Sequence, residues 1–394
     1  MTKRISVVRF GWLPVIALPI SHMMEALLRD GHEVSYVASR PRQADIPVQT
    51  QSGATNHIFR VWLRLIPSLP ILRVLLRPLI FAEFAARACA AVFRSKPDLV
   101  VAVDLDTLVP AWIAARLRRA KLVYYTLELY TDTAYMPLKF LWRFIERSLI
   151  GKADLVIACE PNRARILQER YGLETTPLTV LNVSHREPDR DRTTLIQDYL
   201  GEMGVQPARI ALYHGLIASE RGADSLLEAA KLIDPGALVF LLGPIDPIYD
   251  KELRARIDKE GLEGRVVIHP MVRPQELSGF VLSADVGLAI LMNDCLNSYY
   301  CAPTKLYGYL AAGLPVVTSD FPGLKEVVEE ERVGLCVDPD DPVAIANAIN
   351  RLLADDGLRA EMARNARRVS LEKYCYEVEG KKLTMALGNL LDTD

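Results

Sequence analysis

The stretch Cys301–Asp320, CAPTKLYGYLAAGLPVVTSD, decides the fold. A short helical run from Lys305 to Ala312 meets Gly313, where a helix stops, and the β-branched run Pro315 to Thr318 ends at polar Ser319 and Asp320. That pattern is a helix feeding a buried strand. Ahead of the helix stand Pro303, Thr304 and Lys305, a hydroxyl suited to capping and a cation. They sit at the helix end that gathers unpaired backbone N–H groups and favours anions, so a phosphate fits there.

Outward from this stretch the alternation continues. Downstream come a helix starting at Gly323, a strand Gly334 to Val337, and the acidic turn and amphipathic helix of DPDDPVAIANAINRLL. Upstream come a strand Arg209 to Tyr213, a loop HGLIASERG over His214 to Gly222, and a helix Ala223 to Ile233. Strands Ala237 to Leu242, Arg265 to His269 and Val286 to Ile290, with a helix Pro274 to Ser283, complete a run of α/β units. Arg221 and Gly222 open the first of these helices, so a guanidinium and free amides converge on a plausible diphosphate seat. A helix start holding Ser219 and Glu220 is also stable without a ligand.

The chain has 394 residues, which predicts two domains. Residues 1–189 hold 25 Lys+Arg against 17 Asp+Glu, while 190–394 hold 22 against 32. That asymmetry places a boundary near 190 and points the first half at an anionic partner or surface, unless it reflects drift between domains. The polar run SHREPDRDR, Ser184 to Arg192, reads as the linker. The six cysteines lack zinc-type spacing and read as reduced cytosolic thiols, and no metal site is expected.

The opening MTKRISVVRFGWLPVIALPISHMM places basic residues before an apolar run, but Arg9, Pro14 and Pro19 interrupt it. A strand Ile5 to Phe10, a loop Gly11 to Pro14, a helix Leu18 to Arg29 and a strand from His32 explain it better, as a doubly wound unit. A lone Gly11 is not a dinucleotide fingerprint, so no dinucleotide cofactor is expected. Strand Asp98 to Val103, helix Thr107 to Arg119, strand Lys121 to Thr126, helix Pro137 to Ile150 and strand Asp154 to Cys159 build a parallel sheet. Beyond its strand ends lie Asp104, Asp106, Glu128 and Asp132, where carboxylates bind sugar hydroxyls, act as bases or cap helices, Asp106 being placed for a cap. Residues Arg73 to Arg94, taken as a helix, line up Arg73, Arg77, Glu83, Arg87 and Arg94 on one face. That face, with Trp62, Phe81 and Phe84, suits an anionic bilayer, against the alternative of an ordinary helix packed on the sheet and broken or kinked at Pro78. No run approaches the length of a membrane span.

The ordered series YHGLIASERGADSLLEAAKLI, VFLLGP, GRVVIHPMVRPQEL, ADVGLAI, PTKLYGYLAAGLPVVTSDFPGLKEVV and GLCVDPDDPVAIANAINRLL resembles the C-terminal domain of family 4 glycosyltransferases. PDLVVAVDLDTLVPA, KLVYYTLELYTD, IERSLIGKADLVIACE and TVLNV resemble their N-terminal domain. The resemblance implies the α/β fold called GT-B: two facing Rossmann-like domains, parallel sheets with helices on both faces. It implies an acceptor domain over 1–187, a nucleotide-sugar domain over 188–370 and a helix over 371–394 that returns to the first. The expected activity is retaining, metal-independent sugar transfer from a nucleotide-sugar to a glycan or lipid-linked acceptor in the cleft, serving cell-surface polysaccharide or glycoconjugate synthesis.

The donor is expected at Gly215, Arg221, Gly243, Met271, Val272, Thr304, Lys305 and Gly308, Arg221 being the diphosphate contact that the resemblance implies, and the acceptor at Gly11, Trp12, Asp104, Asp106 and Glu128. Asp104, Glu128, Arg221 and Lys305 are the expected catalytic set. The nucleotide-sugar is a co-substrate, no cofactor or nucleic-acid partner is expected, and the place of work is the cytoplasm or the inner membrane face. Departures from the family pattern are Tyr300 and Gly308 where paired glutamates stand, Leu216 where an Arg is frequent, and Val103 where a His precedes the strand-end Asp. They leave a second reading open, an inactive homologue acting as a partner subunit.

Overall fold

The computed structural model describes residues 1–11, 16–40, 50–62, 70–133 and 138–392, side chains 70–77 excepted. The chain divides into two compact units, Met1–Leu181 with Glu379–Asp394, and Asn182–Val378. The run Ser184 to Arg192, expected as a linker, is held by the second unit: His185 pairs with Glu377, and Arg192 bonds Ala284 and Asp285.

In the first unit β1 (Arg4–Arg9), α1 (Leu18–Arg29), β2 (Glu33–Ser39), β3 (Thr55–Phe59), α2 (Pro70–Ser95) and β4 (Leu99–Val103) precede α3 (Leu105–Arg118) and β5 (Lys121–Thr126). Then come α4 (Lys139–Leu149), β6 (Leu155–Ala158), α5 (Pro161–Tyr171) and β7 (Leu178–Thr179). Among the described residues the sheet is parallel with order β3-β2-β1-β4-β5-β6-β7. Its central strands are continuous apolar runs because helices cover both faces, as in LVVAV of β4, wholly buried. Alternate residues face opposite sides. Val100 and Ala102 pack with Phe84, Ala88 and Val92 of α2. Val101 and Val103 share a core with Met23 and Leu27 of α1 and with Leu383, Leu387 and Leu391 near the C-terminus.

Two expectations change here. Pro78 does not break α2, which runs from Pro70 to Ser95. Its packing against the sheet outweighs the lost bond. Phe84 is fully buried, and Phe81 stacks on Phe10 and meets Trp142, so neither is available to a bilayer. The expected strand and helix bounds otherwise move by a residue or two.

In the second unit α6 (Leu195–Glu202), β8 (Arg209–His214), α7 (Ala223–Ala230), β9 (Ala237–Leu242), α8 (Pro247–Lys259), β10 (Val266–His269), α9 (Pro274–Leu282) and β11 (Val286–Ala289) come first. They are followed by α10 (Leu296–Tyr299), α11 (Thr304–Ala311), β12 (Val316–Ser319), α12 (Pro322–Glu330), β13 (Gly334–Val337), α13 (Pro342–Ala354) and α14 (Asp356–Glu372), after which α15 (Tyr376–Asp392) starts in the second unit and belongs to the first from Glu379 on. The parallel order β10-β9-β8-β11-β12-β13 repeats the doubly wound plan. Leu226 and Leu227 of α7 and Ile345, Ile349 and Leu352 of α13 cover Val239, Leu241, Val286 and Leu288. In each sheet the order reverses once, between β1 and β4 and between β8 and β11. Ligands of such sheets sit beyond the strand ends at that reversal.

Candidate functional site

At the second reversal β8 ends in Tyr213-His214 and turns at Gly215, whose φ is 125°. Gly243 follows β9 with φ 152°, and a Cβ there would lie 1.9 Å from the Gly215 carbonyl oxygen. Only glycine lets these two backbones cross so closely. A Cβ on Gly215 would meet Lys305 Nζ at 3.4 Å, so the ammonium rests against this turn. Lys305 belongs to the first turn of α11, and its Nζ lies 3.6 Å from the centroid of the Tyr213 ring. The ring face attracts the cation, and the Tyr213 hydroxyl, donating to Leu216 O at 2.7 Å, holds the ring in place.

Arg221 is exposed and precedes Gly222, the N-cap of α7. A Cβ on Gly222 would collide with Ile290 at 2.6 Å, so α7 starts hard against the end of β11. Burial first, and then the Arg221 guanidinium, hold the Lys305 ammonium well below the ordinary lysine range. Burial, then Lys305, push His214 down to about 3. Neither α7 nor α11 has a side-chain cap bond at its N-terminus. The corner therefore collects a lysine whose charge is disfavoured beside Arg221 and two helix starts without side-chain acceptors. An anion relieves both conditions.

Tyr309, one turn beyond Lys305, ties the corner together. Its buried hydroxyl accepts the His214 N–H at 3.1 Å and lies 3.0 Å from Leu212 O and 3.2 Å from Leu288 O, bridging β8 and β11. The absent side chain of Gly287 makes room for its ring, since a Cβ there would sit 2.5 Å from Tyr309 Cγ. Sequence reasoning passed over Tyr213, His214 and Tyr309. The i, i+4 spacing of Lys305 and Tyr309 on one helix was the available signal.

Of the expected donor residues, Gly215, Gly243, Lys305 and Gly308 come together here, with Arg221 close enough to act on Lys305. Thr304 is exposed in the first turn of α11, but Pro303 is the N-cap, so the expected capping hydroxyl is not one. A Cβ on Gly308 would have only His214 Nε2 near, at 4.0 Å. Met271 and Val272 follow β10, the edge strand whose His269 carbonyl accepts the Gly243 N–H at 3.0 Å, so β9 separates them from the strand that leads to Gly215.

At the first reversal Asp104 joins β4 to α3 with φ 63° and ψ 169°, a region open essentially to glycine alone. Its Oδ1 accepts the Leu127 N–H at 2.8 Å and makes no cap bond to α3. Burial, then the negative charges of Asp106 and Glu128, push its carboxyl up to about 8, against the Leu127 N–H and Arg9, which lower it. Asp106 lies inside the first turn of α3, not at the cap, and its Oδ2 accepts the Tyr130 hydroxyl at 3.0 Å. Glu128 is exposed. Gly11 belongs here because a Cβ on it would lie 2.0 Å from Ser39 O. Trp12 lies outside the described residues. Asp132 turns away into ion pairs with Arg143 and Arg170.

Residues 17–183 match the family described as Glycosyl transferase 4-like domain, and residues 205–369 match Glycosyl transferases group 1. The whole chain follows Anabaena HepE in complex with UDP and glucose at 18% identity and TM-score 0.75, covering 98% of this chain and 100% of that one. The chain has the GT-B fold and is related to the group 1 and 4-like glycosyltransferases. This GT-B chain also superposes on sucrose-phosphate synthase of Thermosynechococcus elongatus, at 18% identity, TM-score 0.77 and full coverage of both. In sequence it is 28% identical over 235 residues to a D-inositol 3-phosphate glycosyltransferase of Xylanimonas cellulosilytica, covering 57% of this chain. It spans 54% of that relative, about half its length.

Proposed function

We propose that the chain is a glycosyltransferase that moves a sugar from a nucleoside-diphosphate donor, a UDP-sugar first, to a hydroxyl of a glycan or lipid-linked acceptor. The observation that carries this reading is Lys305 against the Gly215 turn, a lysine whose charge burial and the Arg221 guanidinium disfavour until an anion joins them. The matches of both halves to glycosyltransferase families and the UDP held by the Anabaena protein of the same fold support it. In the transfer the acceptor oxygen forms a bond to the anomeric carbon, whose bond to the diphosphate oxygen breaks. The electron pair leaves with the diphosphate, and Lys305, Arg221 and the amides opening α7 and α11 stabilise the growing charge. The acceptor proton passes to the departing phosphate on the same face of the sugar, which retains anomeric configuration.

Asp104, its carboxyl pushed up to about 8 by burial and the charges of Asp106 and Glu128, orients the acceptor through hydrogen bonds. Titration with a panel of UDP-, GDP- and dTDP-sugars tests the proposal, with saturable binding by at least one expected. Lys305→Ala or Arg221→Ala should lower transfer about 10²–10³-fold, the cost of one well-placed charge stabiliser. Absence of binding across the panel overturns the reading. Gly308 and Tyr300, standing where the family pattern has glutamates, favour a second reading as a non-catalytic partner subunit, in which Arg221→Ala changes nothing measurable.

A further inference from the structure

Helix α4, KFLWRFIERSL, carries its apolar residues on two opposite sides. Trp142, Ile145 and Leu149 face the core, Trp142 meeting Phe81 at 5.0 Å and Tyr130 at 5.8 Å between centroids. Glu146 on the same side is buried and accepts the hydroxyls of Tyr124 at 2.8 Å and Tyr171 at 2.6 Å, which fixes the rotation of the helix. The other side stays open: Phe140 is 74% exposed, Phe144 68%, Leu138 51% and Leu141 43%. At 100° per residue Phe140 and Phe144 form one outward stripe, and Lys139, Arg143 and Arg147 form the stripe beside it. The helix's one carboxylate, Glu146, is turned inward, so the outward face is uniformly cationic, with Arg143 also reaching Asp132.

We propose that this face of α4 docks on an anionic phospholipid bilayer. Phenylalanine has no polar tip and suits the acyl boundary, while a row of cations one stripe away meets the phosphate layer. The charge excess of the first 189 residues, 25 basic against 17 acidic, favours a lipid surface of the opposite sign. On α2, Phe84 is buried and Phe81 packs against Phe10, so those two rings do not serve as anchors. Trp142 touches Tyr130, which bonds Asp106 beside Asp104, so the docking helix packs directly under the acceptor carboxylates. Of the two acceptor classes this favours the lipid-linked one, a step that rests on the proposed transfer.

Flotation of the purified full chain with vesicles of phosphatidylcholine, and of phosphatidylcholine with an equal part of phosphatidylglycerol, tests the docking without any need for activity. Failure here therefore leaves the transfer reading untouched, and failure of the donor panel leaves this one untouched. Binding to the mixed vesicles is expected. Lys139→Glu with Arg147→Glu should weaken it about fivefold or more per site. Phe140→Ser with Phe144→Ser should weaken it at least about tenfold. All four positions are exposed, and an unchanged thermal midpoint confirms folding. The proposal is overturned if the wild-type chain does not float with mixed vesicles, or if the phenylalanine variant floats as well as wild type. It is also overturned if that variant only converts a dimer to a monomer, which would assign the face to a second copy of the chain.

Discussion

The two reversal points occupy equivalent places in sheets of the same strand order, and their chemistry is opposite in sign. Beyond β4 the chain gathers Asp104, Asp106 and Glu128, and beyond β8 it gathers Lys305, Arg221 and His214. In both corners burial and like charges work against the ionised form of the central group, Asp104 in one and Lys305 in the other. The difference teaches that the fold supplies a location and the residues supply the ligand. A carboxyl held neutral suits the hydroxyls of an acceptor, and a cation held near its neutral form regains charge when a diphosphate arrives.

The backbone of each corner offers the harshest way to break the comparison. Gly243→Ala sets a Cβ 1.9 Å from a backbone oxygen at φ 152°, so clash and strain add. We expect a loss of about 3 kcal/mol or more. Gly11→Ala meets Ser39 O at 2.0 Å without the backbone strain and should cost about 1–3 kcal/mol. Thermal midpoints rank the two, and hydrogen exchange of β8 and β1 amides shows which unit loosens. A larger loss from Gly11→Ala would mean that the second corner is the more forgiving.

pH separates the corners more gently. Asp104 has a folded value of about 8, above its ordinary 3.8, so the folded state binds the extra proton. Its contribution is full below about 4 and is lost as pH rises through about 8. His214, at about 3 against an ordinary 6.5, works the other way: its contribution is present above about 6.5 and is lost as pH falls toward 3. Lys305 acts in the same direction as His214, from its ordinary 10.5 downward. Urea unfolding of Asp104→Asn against wild type should therefore differ most at alkaline pH, and of His214→Gln most at acid pH. Parallel curves for either variant would remove the electrostatic half of the contrast.

Where side chains alternate or run apolar for burial, the sequence is legible. Leu18–Arg29, Lys121–Thr126, Ala237–Leu242 and Gly334–Val337 lie where periodicity puts them. Missed elements have weak apolar signals: β3 is a half-exposed edge strand, and α5 and α8 are charged helices burying only a few residues. The strand-end carboxylates were legible from topology, but the positive φ of Asp104 was not, because nothing local distinguishes it from an ordinary cap. Tyr213 under Lys305 joins residues far apart in the chain, which only the folded sheet brings together. On α4, composition shows an amphipathic helix but not that its second apolar stripe is left outside.

The mildest perturbation is at Gly308, in the stretch from which the fold was read. Glycine there is not demanded by sterics, since a Cβ would find His214 Nε2 at 4.0 Å and no backbone clash. It lies within α11, where replacing glycine removes a helix penalty of about 1 kcal/mol. Gly308→Glu should therefore fold and raise stability slightly, and it adds a carboxylate one turn from Lys305. If a carboxylate at this place of the family pattern is all that the corner lacks, UDP binding should tighten by roughly tenfold, the worth of one charge-assisted hydrogen bond. A weaker UDP affinity would show that the new carboxylate pairs with Lys305 instead and spoils the cationic corner. In that case the glycine is what keeps the two reversal points opposite in sign.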